Sequence, residues 1–416
     1  MNIWIFNHYA VDPRSSGGTR HHDLAYQLIK RGHTVTIFAS SYNHFIKKET
    51  IKYEDGMHHN KEIVNGIHYV WIKTIKYTGT VKRIFNILDY TRKSYKIAKK
   101  QLSNNIPDIV IGSSVHPLAA YIGFLIAKKA KKTFYFEERD LWPQTFVDFG
   151  KVSVTNPFIK LLYRFESFLY RKATRIIVLF DKAPNYVYSR GVNESKVIYL
   201  PNGVDLERYK EIKRDKNISG KLQQFKYKVI YTGSHGTANH LEPLIEAANI
   251  LQNELKICDI QFVLVGNGLL KENLQRLART YKLNNVTFLD SVPKEKIPYL
   301  LSQADLSFIS LRKSPLYKWG FSMNKIYDYM ASGLPIVMYS SKELVGQLGS
   351  ISGVTLSESP EEIVDNILNH IYDEKFKKET GKYLKNYVKE NYDWNKLAII
   401  LEEKMLEDLG KKNVEQ

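Results

Sequence analysis

The chain has 416 residues, 61 Lys and Arg against 43 Asp and Glu, 44% apolar residues and one cysteine. At about 100 to 200 residues per domain this length predicts two or three domains, each with its own core. The single Cys258 excludes a disulfide framework and any Cys-rich metal knuckle, which leaves the chemistry to oxygen and nitrogen groups in a reducing compartment.

The opening MNIWIFNHYA lacks the basic and apolar regions of a signal peptide and reads as a first strand. A helix from about Thr19 to Arg31 and a strand TVTIFA (34 to 39) follow. From Thr80 to Leu102, Ile84, Phe85, Leu88, Tyr95 and Ile97 recur at near-helical spacing among Lys82, Arg83, Arg92, Lys93, Lys96, Lys99 and Lys100, which makes a basic amphipathic helix. Strands DIVIG (108 to 112), TFYFEE (133 to 138) and RIIVLF (175 to 180) alternate with helical stretches at Pro117 to Lys132 and Phe158 to Arg175. The apolar run Pro117 to Ala127 is far short of the roughly 20 residues that span a bilayer, so a soluble or peripheral protein is expected.

After PNGVDLERY (201 to 209), the polar stretch EIKRDKNISGKLQQFK reads as a linker, and the pattern restarts with VIYTG (229 to 233), FVLVG (262 to 266), VTFLD (286 to 290), LSFIS (306 to 310) and PIVMYS (335 to 340). Ser359, Pro360 and Glu362 form a capping box that starts a helix running to about Asp373, and Trp394 to Leu409 forms a last amphipathic helix. Strand, helix, strand at this spacing means βαβ units. The fold class is therefore α/β, with two doubly wound Rossmann-like domains facing across a cleft: 1–205, joined by a C-terminal helix at about 390–416 that crosses back, and 206–389. In such domains ligands sit outside the carboxyl ends of the strands.

Charge is unevenly placed. Residues 1–200 hold 31 Lys and Arg against 15 Asp and Glu, whereas 201–416 hold 30 against 28. A surplus confined to one half points to an anionic partner, and its interleaving with apolar residues points to a lipid surface. No zinc-finger spacing, RNP-type strand or basic zipper occurs, so nucleic acid is not an expected partner.

Five loops hold candidate residues. Gly17, Gly18, Thr19 and Arg20 lie between the first strand and first helix, where glycines let the backbone approach an anion. Gly233, Ser234, His235 and Gly236 occupy the equivalent place in the second half and suit a diphosphate. Lys325 and Asp328, three apart, share one face of a short helix that begins at a strand-end loop. Arg139 and Asp140 follow a strand of the first half, and His116 follows another. The absence of a D-x-D pattern, a P-loop and a third ligand beside His235 and His240 predicts no metal, so helix ends and cations must stabilise a phosphate leaving group.

Taken together, the GG loop with LAYQLIKRGHTVTIFAS, the run RIIVLFDKAPNYVYSRGVNESKVIYLPNGVDLERY, VLVGNGLLKENL, VTFLDSVPKEKIPYLLSQADLSF and NKIYDYMASGLPIV resemble the family 4 retaining glycosyltransferases of the GT-B fold. ERDLWP and GSHGTANHLEPLIEAA are similar to the O-antigen and capsule transferases of the WbuB type. The resemblance implies a hexosyl or N-acetylhexosaminyl transferase of surface polysaccharide or lipopolysaccharide synthesis that needs no cofactor, its nucleotide-sugar being a substrate. It assigns Gly233, Ser234, His235, Gly236, Gly266, Val292, Asn324, Lys325 and Asp328 to a donor, usually UDP-linked, with Lys325 on the diphosphate, Asp328 on the ribose and the backbone near Val292 on the base. The acceptor, a sugar on a polyprenyl diphosphate at the cytoplasmic, inner face of the plasma membrane, would meet Gly17, Gly18, Thr19, Arg20, Arg139 and Asp140. Lys325, Asp328, Asp140 and His116 are the expected catalytic residues.

Two departures from the family pattern stand out. The first of two glutamates that members carry eight residues apart falls on Gly320 and the second on Asp328, and the Arg and Lys after the donor-loop glycine are missing. An epimerase or hydrolase of the same fold, and a basic membrane- or RNA-binding module without catalysis, are the alternative readings.

Overall fold

A computed structural model describes residues 1–414 apart from 16, 45, 115, 151, 221, 223, 224 and 313, and the side chains at 316, 345, 347 and 412–414 also lie outside the description. Position 16 of the GG loop, Ser16, is thus not among the described residues. The chain divides into two compact units, Met1–Asn202 with Trp394–Gln416, and Gly203–Asp393.

The first unit contains strands β1 (Asn2–Phe6), β2 (Thr34–Ser40), β3 (His59–Val64), β4 (Ile67–Ile72), β5 (Ile109–Ser114), β6 (Thr133–Glu138), β7 (Arg175–Val178) and β8 (Val197–Tyr199) in one sheet of order β8-β7-β6-β5-β1-β2-β4-β3. All neighbours are parallel except the β3–β4 hairpin. That hairpin was not read from the sequence. Its signal is Asn65-Gly66, whose φ values of 52° and 82° make the positive-φ turn that asparagine and glycine favour. Helices α1 (Arg20–Lys30), α2 (Thr80–Gln101), α3 (Pro117–Ala130) and α4 (Pro157–Lys172) cover the sheet. A Cβ on Gly112 of β5 would lie 2.6 Å from the Ala120 backbone, so α3 packs directly on the strand and its apolar run is core, with Ile122 and Ile126 fully buried.

The other two basic helices differ. On α2 the buried residues are Asn86, Tyr90, Ser94 and Ala98, while Val81, Ile84, Phe85 and Leu88 are exposed, Phe85 by 56%. On α4, Ile159, Leu169 and Tyr170 face inward and Phe158 and Leu161 face out. The leading apolar stripe of α2 therefore does not pack on the core.

The second unit builds a fully parallel sheet of order β11-β10-β9-β12-β13-β14 from β9 (Tyr227–Thr232), β10 (Ile260–Val265), β11 (Val286–Leu289), β12 (Leu306–Ser310), β13 (Ile336–Tyr339) and β14 (Val354–Ser357). Its principal helices are α5 (Glu242–Asn249), α6 (Lys271–Thr280), α7 (Asn324–Ser332), α8 (Pro360–Ile371) and α9 (Glu374–Asn391). The Ser359 hydroxyl accepts the Glu362 amide at 3.2 Å, as the capping box requires. The stretch read as a linker lies inside this unit because its apolar residues Ile218 and Leu222 belong to the core.

The last helix, α10 (Trp394–Val414), packs on α1 with Trp394, Leu397, Leu401 and Met405 in the core of the first unit. Asp408 binds Arg175 and the Tyr135 hydroxyl, and Glu402 binds Arg31 and His33. In both sheets the strand order reverses beside the first strand, between β1 and β5 and between β9 and β12. Ligands of such sheets bind outside the carboxyl ends at that point.

Candidate functional site: the two strand-order reversals

In the second unit the loop after β9 lies backbone to backbone on the loop after β10. Gly233 and Gly266 have φ of 148° and 149°, a region that L side chains rarely adopt. A Cβ on Gly266 would come 1.8 Å from the Gly233 carbonyl oxygen, and one on Gly268 2.4 Å from that of His235. The Gly233 amide donates to Val265 and the His235 amide to Asn267, while the amides of Ser234 and Gly236 donate to no described group. Two free N–H groups at a strand end form a cradle for an anion.

Lys325 enters this cradle from the first turn of α7. A Cβ on Gly233 would meet its Nζ at 3.0 Å, so only glycine leaves room for the ammonium. Nζ donates to the Tyr231 hydroxyl and to Asn239 Oδ1, each at 2.9 Å, and lies 4.3 Å from the Tyr231 ring centroid. No carboxylate among the described residues pairs with it, and burial pushes its pKa down to about 7. A half-buried cation with no counter-ion among the described residues is an incomplete site, because desolvation costs are recovered only when an anion arrives.

Lys325 and Asp328 share a helix face but do not pair. The buried Asp328 carboxylate accepts from the Tyr209 hydroxyl at 2.8 Å and forms an ion pair with Lys294. Sequence reading missed Lys294; it neutralises a carboxylate that would be costly to bury alone. Asn324 opens α7, and Val292, just after β11, is partly buried against the core. The His235 ring is fully buried, is kept neutral with a pKa near 4 by burial and by Lys271 and Lys325, and its two nitrogens have no hydrogen-bond partner among the described residues.

In the first unit the structure revises two expectations. Arg20 is not an anion ligand, because its guanidinium is spent inside the unit: Nε on Glu137 at 2.8 Å, Nη1 on the Pro201 carbonyl at 2.7 Å and Nη2 on the Leu200 carbonyl at 2.9 Å. Burial alone would raise the Glu137 carboxyl, but His21 and Arg20 hold it well below the usual range. Thr19 is buried too, with its hydroxyl on Asp23 at 2.6 Å, which leaves Gly17, at φ 135°, and Gly18 as the open part of this loop.

His116 likewise has no free nitrogen. As N-cap of α3 its Nδ1 accepts the Ala119 amide at 3.3 Å, which places its proton on Nε2, and Nε2 lies 2.8 Å from Nδ1 of His8. His8 must then carry its own proton on Nε2, a buried atom without a partner. The pair spans the strand-order reversal between β1 and β5. Burial pushes His116 down to about 3 and His8 well below its usual value. Asp140 is exposed with no ion pair among the described residues, and the buried Nε of Arg139 has no acceptor. No group of three His, Cys, Asp or Glu among the described residues is placed to hold a metal ion.

Three outcomes follow. The ammonium binds an anion and the neutral amine does not, and the empty site loses its proton near pH 7. With UDP as the probe anion, any affinity of this site should therefore fall as pH rises above that value, approaching about tenfold per pH unit, with proton uptake on binding. Calorimetric titration across this range checks it, and a flat profile would remove Lys325 from the anion site. Gly266→Ala should separate the two loops, abolish UDP binding and cost about 1–3 kcal/mol in thermal unfolding, whereas Gly236→Ala, whose Cβ would meet only Ser234 Oγ at 3.2 Å, should fold normally. Nitrogen-15 histidine spectra should show both His8 and His116 protonated at Nε2 and uncharged at pH 6; a charged His116 there would refute this arrangement of the pair.

Comparison with known proteins bears on the family and the fold. A model described as Glycosyltransferase Family 4 matches residues 17–208, and one described as Glycosyl transferases group 1 matches residues 226–373. An uncharacterized glycosyltransferase of Methanocaldococcus jannaschii is 26% identical over 326 residues, 76% of this chain and 78% of that protein. A putative colanic acid biosynthesis glycosyl transferase, WcaI of Escherichia coli, is 28% identical over 130 residues, 30% of this chain and 31% of that protein. Among solved structures, sucrose-phosphate synthase of Thermosynechococcus elongatus matches with TM-score 0.75 at 14% identity, covering 99% of both chains. Anabaena HepE in complex with UDP and glucose matches with TM-score 0.69 at 16% identity, covering 98% of this chain and 100% of that one. At such identities the structures establish the fold alone. The matched segments follow one another through both units and together support a family 4 glycosyltransferase, and the solved structures give the GT-B fold.

Proposed function

We propose that this glycosyltransferase moves a hexosyl or N-acetylhexosaminyl group from a UDP-sugar, bound by the second unit, to a saccharide on a polyprenyl diphosphate, bound by the first. The observation that carries the donor assignment is the ammonium of Lys325, which has no carboxylate partner and lies against Gly233 and the free amides of Ser234 and Gly236. These groups are placed to take the charge that develops on the departing diphosphate, and they do so without a metal. A UDP-bound neighbour of the same fold supports the choice of nucleotide. In the reaction the acceptor hydroxyl oxygen bonds to the anomeric carbon on the face that UDP leaves. The bond from that carbon to the β-phosphate oxygen breaks, and the hydroxyl proton passes to that phosphate, so that configuration is retained.

The WbuB-type resemblance and the colanic acid name of one relative support a role in O-antigen or capsule synthesis. For a peripheral place on the inner face of the plasma membrane, the support is the outward apolar stripe Val81, Ile84, Phe85 and Leu88 of α2, beside Lys82 and Arg92. The apolar residues would enter the headgroup boundary and the cations would meet anionic lipid. No helix among the described residues is long and apolar enough to cross a membrane. Arg139 and Asp140 are the residues of the first unit we assign to the acceptor.

A thermal-shift and calorimetric panel of UDP, GDP, ADP and CDP, with and without a divalent metal, tests the donor. UDP alone should stabilise the protein, independently of metal, and Lys325→Ala should weaken it by roughly 1.5–3 kcal/mol; an unchanged affinity would sink the assignment. Phe85→Glu should lower binding to anionic vesicles by about 1.5–3 kcal/mol while leaving UDP affinity as it is, and wild-type binding that ignores salt would count against the surface role.

A further inference from the structure

Beside the His8–His116 pair, towards β2 and the β3–β4 hairpin, the first unit encloses a cavity of about 480 Å³ that none of the expected site residues lines. It falls inside the range of about 300–1,000 Å³ usual for small-molecule sites. One wall is aromatic: Tyr9, Tyr42, His44 and Trp71. These rings are held in place, with Trp71 stacked on Tyr69 at 4.5 Å, Tyr9 on His44 at 5.0 Å, and the Tyr42 hydroxyl on the Tyr77 carbonyl at 2.8 Å.

The rest of the lining is polar and locked. Arg14 donates from Nε and Nη2 to the two oxygens of Asp12 at 3.1 and 2.7 Å, and from Nη1 to Glu62 at 2.8 Å. Glu62 also accepts from Trp71 Nε1 at 2.9 Å, which ties the polar wall to the aromatic one. Hydrogen bonds from Arg14 keep the Glu62 carboxyl below its usual range, so it remains ionised.

The charge balance decides what such a cavity takes. The lining holds two carboxylates, Asp12 and Glu62, and two cations, Arg14 and Lys52, while burial keeps His44 neutral with a pKa near 4. In a half of the chain with 31 basic residues against 15 acidic, this cavity is electrically neutral. An anion would meet both carboxylates with no net attraction. A neutral ring with hydroxyls at its edge fits this lining: its C–H surface packs against the aromatic side chains, and its hydroxyls donate to the remaining lone pairs of Asp12 and Glu62.

We propose that this cavity is a subsite for an uncharged pyranose. The proposal rests on the transferase reading, under which the ring is the sugar of the acceptor, recognised apart from its diphosphate. The first unit then reads its acceptor by hydroxyl pattern, with net charge left to other surfaces.

The test is saturation-transfer NMR on the full chain with methyl glycosides of glucose, galactose and N-acetylglucosamine. Glucose 6-phosphate is the charged comparator, and UDP titration is run in parallel. Two variants probe the walls: Asn60→Trp, which blocks the cavity from an exposed edge-strand position, and Glu62→Gln, which loosens the fork. At least one neutral glycoside should bind, more strongly than glucose 6-phosphate, and both variants should weaken it by about fivefold or more with UDP affinity unchanged. No binding by any neutral glycoside, preference for the phosphorylated sugar, or binding that survives both variants overturns the subsite. UDP binding with no glycoside binding leaves the transferase reading standing and removes the cavity from it. Glycoside binding without UDP binding does the reverse.

Discussion

The donor-side geometry rests on the missing Cβ atoms of Gly233, Gly266 and Gly268. Because Gly266 and Gly268 have no side chain, the loop after β9 settles directly on the loop after β10, with a carbonyl occupying the space a methyl group would need. Because Gly233 has none, the Lys325 ammonium reaches the end of β9. The outcome is a cation held by a phenol hydroxyl and an amide oxygen, with no opposing charge among the described residues. A carboxylate partner would have stabilised the empty protein and competed with the ligand. Its absence keeps the site weak alone and strong with an anion.

The first unit spends its buried charges differently. Arg20, Glu137 and His21 form a closed group in which each charge meets an opposite one, and Arg20 also gathers the carbonyls at Leu200 and Pro201 and lies over the Trp394 ring. That arrangement holds α1, the end of the N-terminal segment and the start of α10 together. It makes Arg20 a structural tie in a loop whose composition suggested an anion site. The same logic removes His116 from the list of free groups, since a histidine that caps a helix and donates to a second histidine has no nitrogen left for a substrate.

Electrostatics thus divides the molecule by function. The basic surplus of the first half lies on its surface, on α2 and α4, next to apolar side chains that no core covers. Its cavity is charge-balanced, and the Lys325 ammonium, with no carboxylate partner among the described residues, lies in the half whose overall charge is nearly even. Net charge by itself pointed to a surface; the pairing of individual groups located the sites.

Much of the fold was legible in the residues. Alternating β-rich runs and amphipathic stretches determined two parallel-sheet domains, because each strand buried on both faces must read as a continuous apolar run and each helix must show a stripe. The strands 133–138 and 306–310 and the capping box at Ser359 came from local patterns, whereas Lys325 was set beside the Gly233 loop only by the family resemblance. What only the tertiary structure decided were pairings between distant positions: His8 with His116, 108 residues apart; Arg20 with Glu137, 117 apart; Lys294 with Asp328; and the outward turn of the α2 stripe. Strand order brings these groups together, and strand order is set by which surfaces pack best over the whole chain, a sum that local periodicity does not contain.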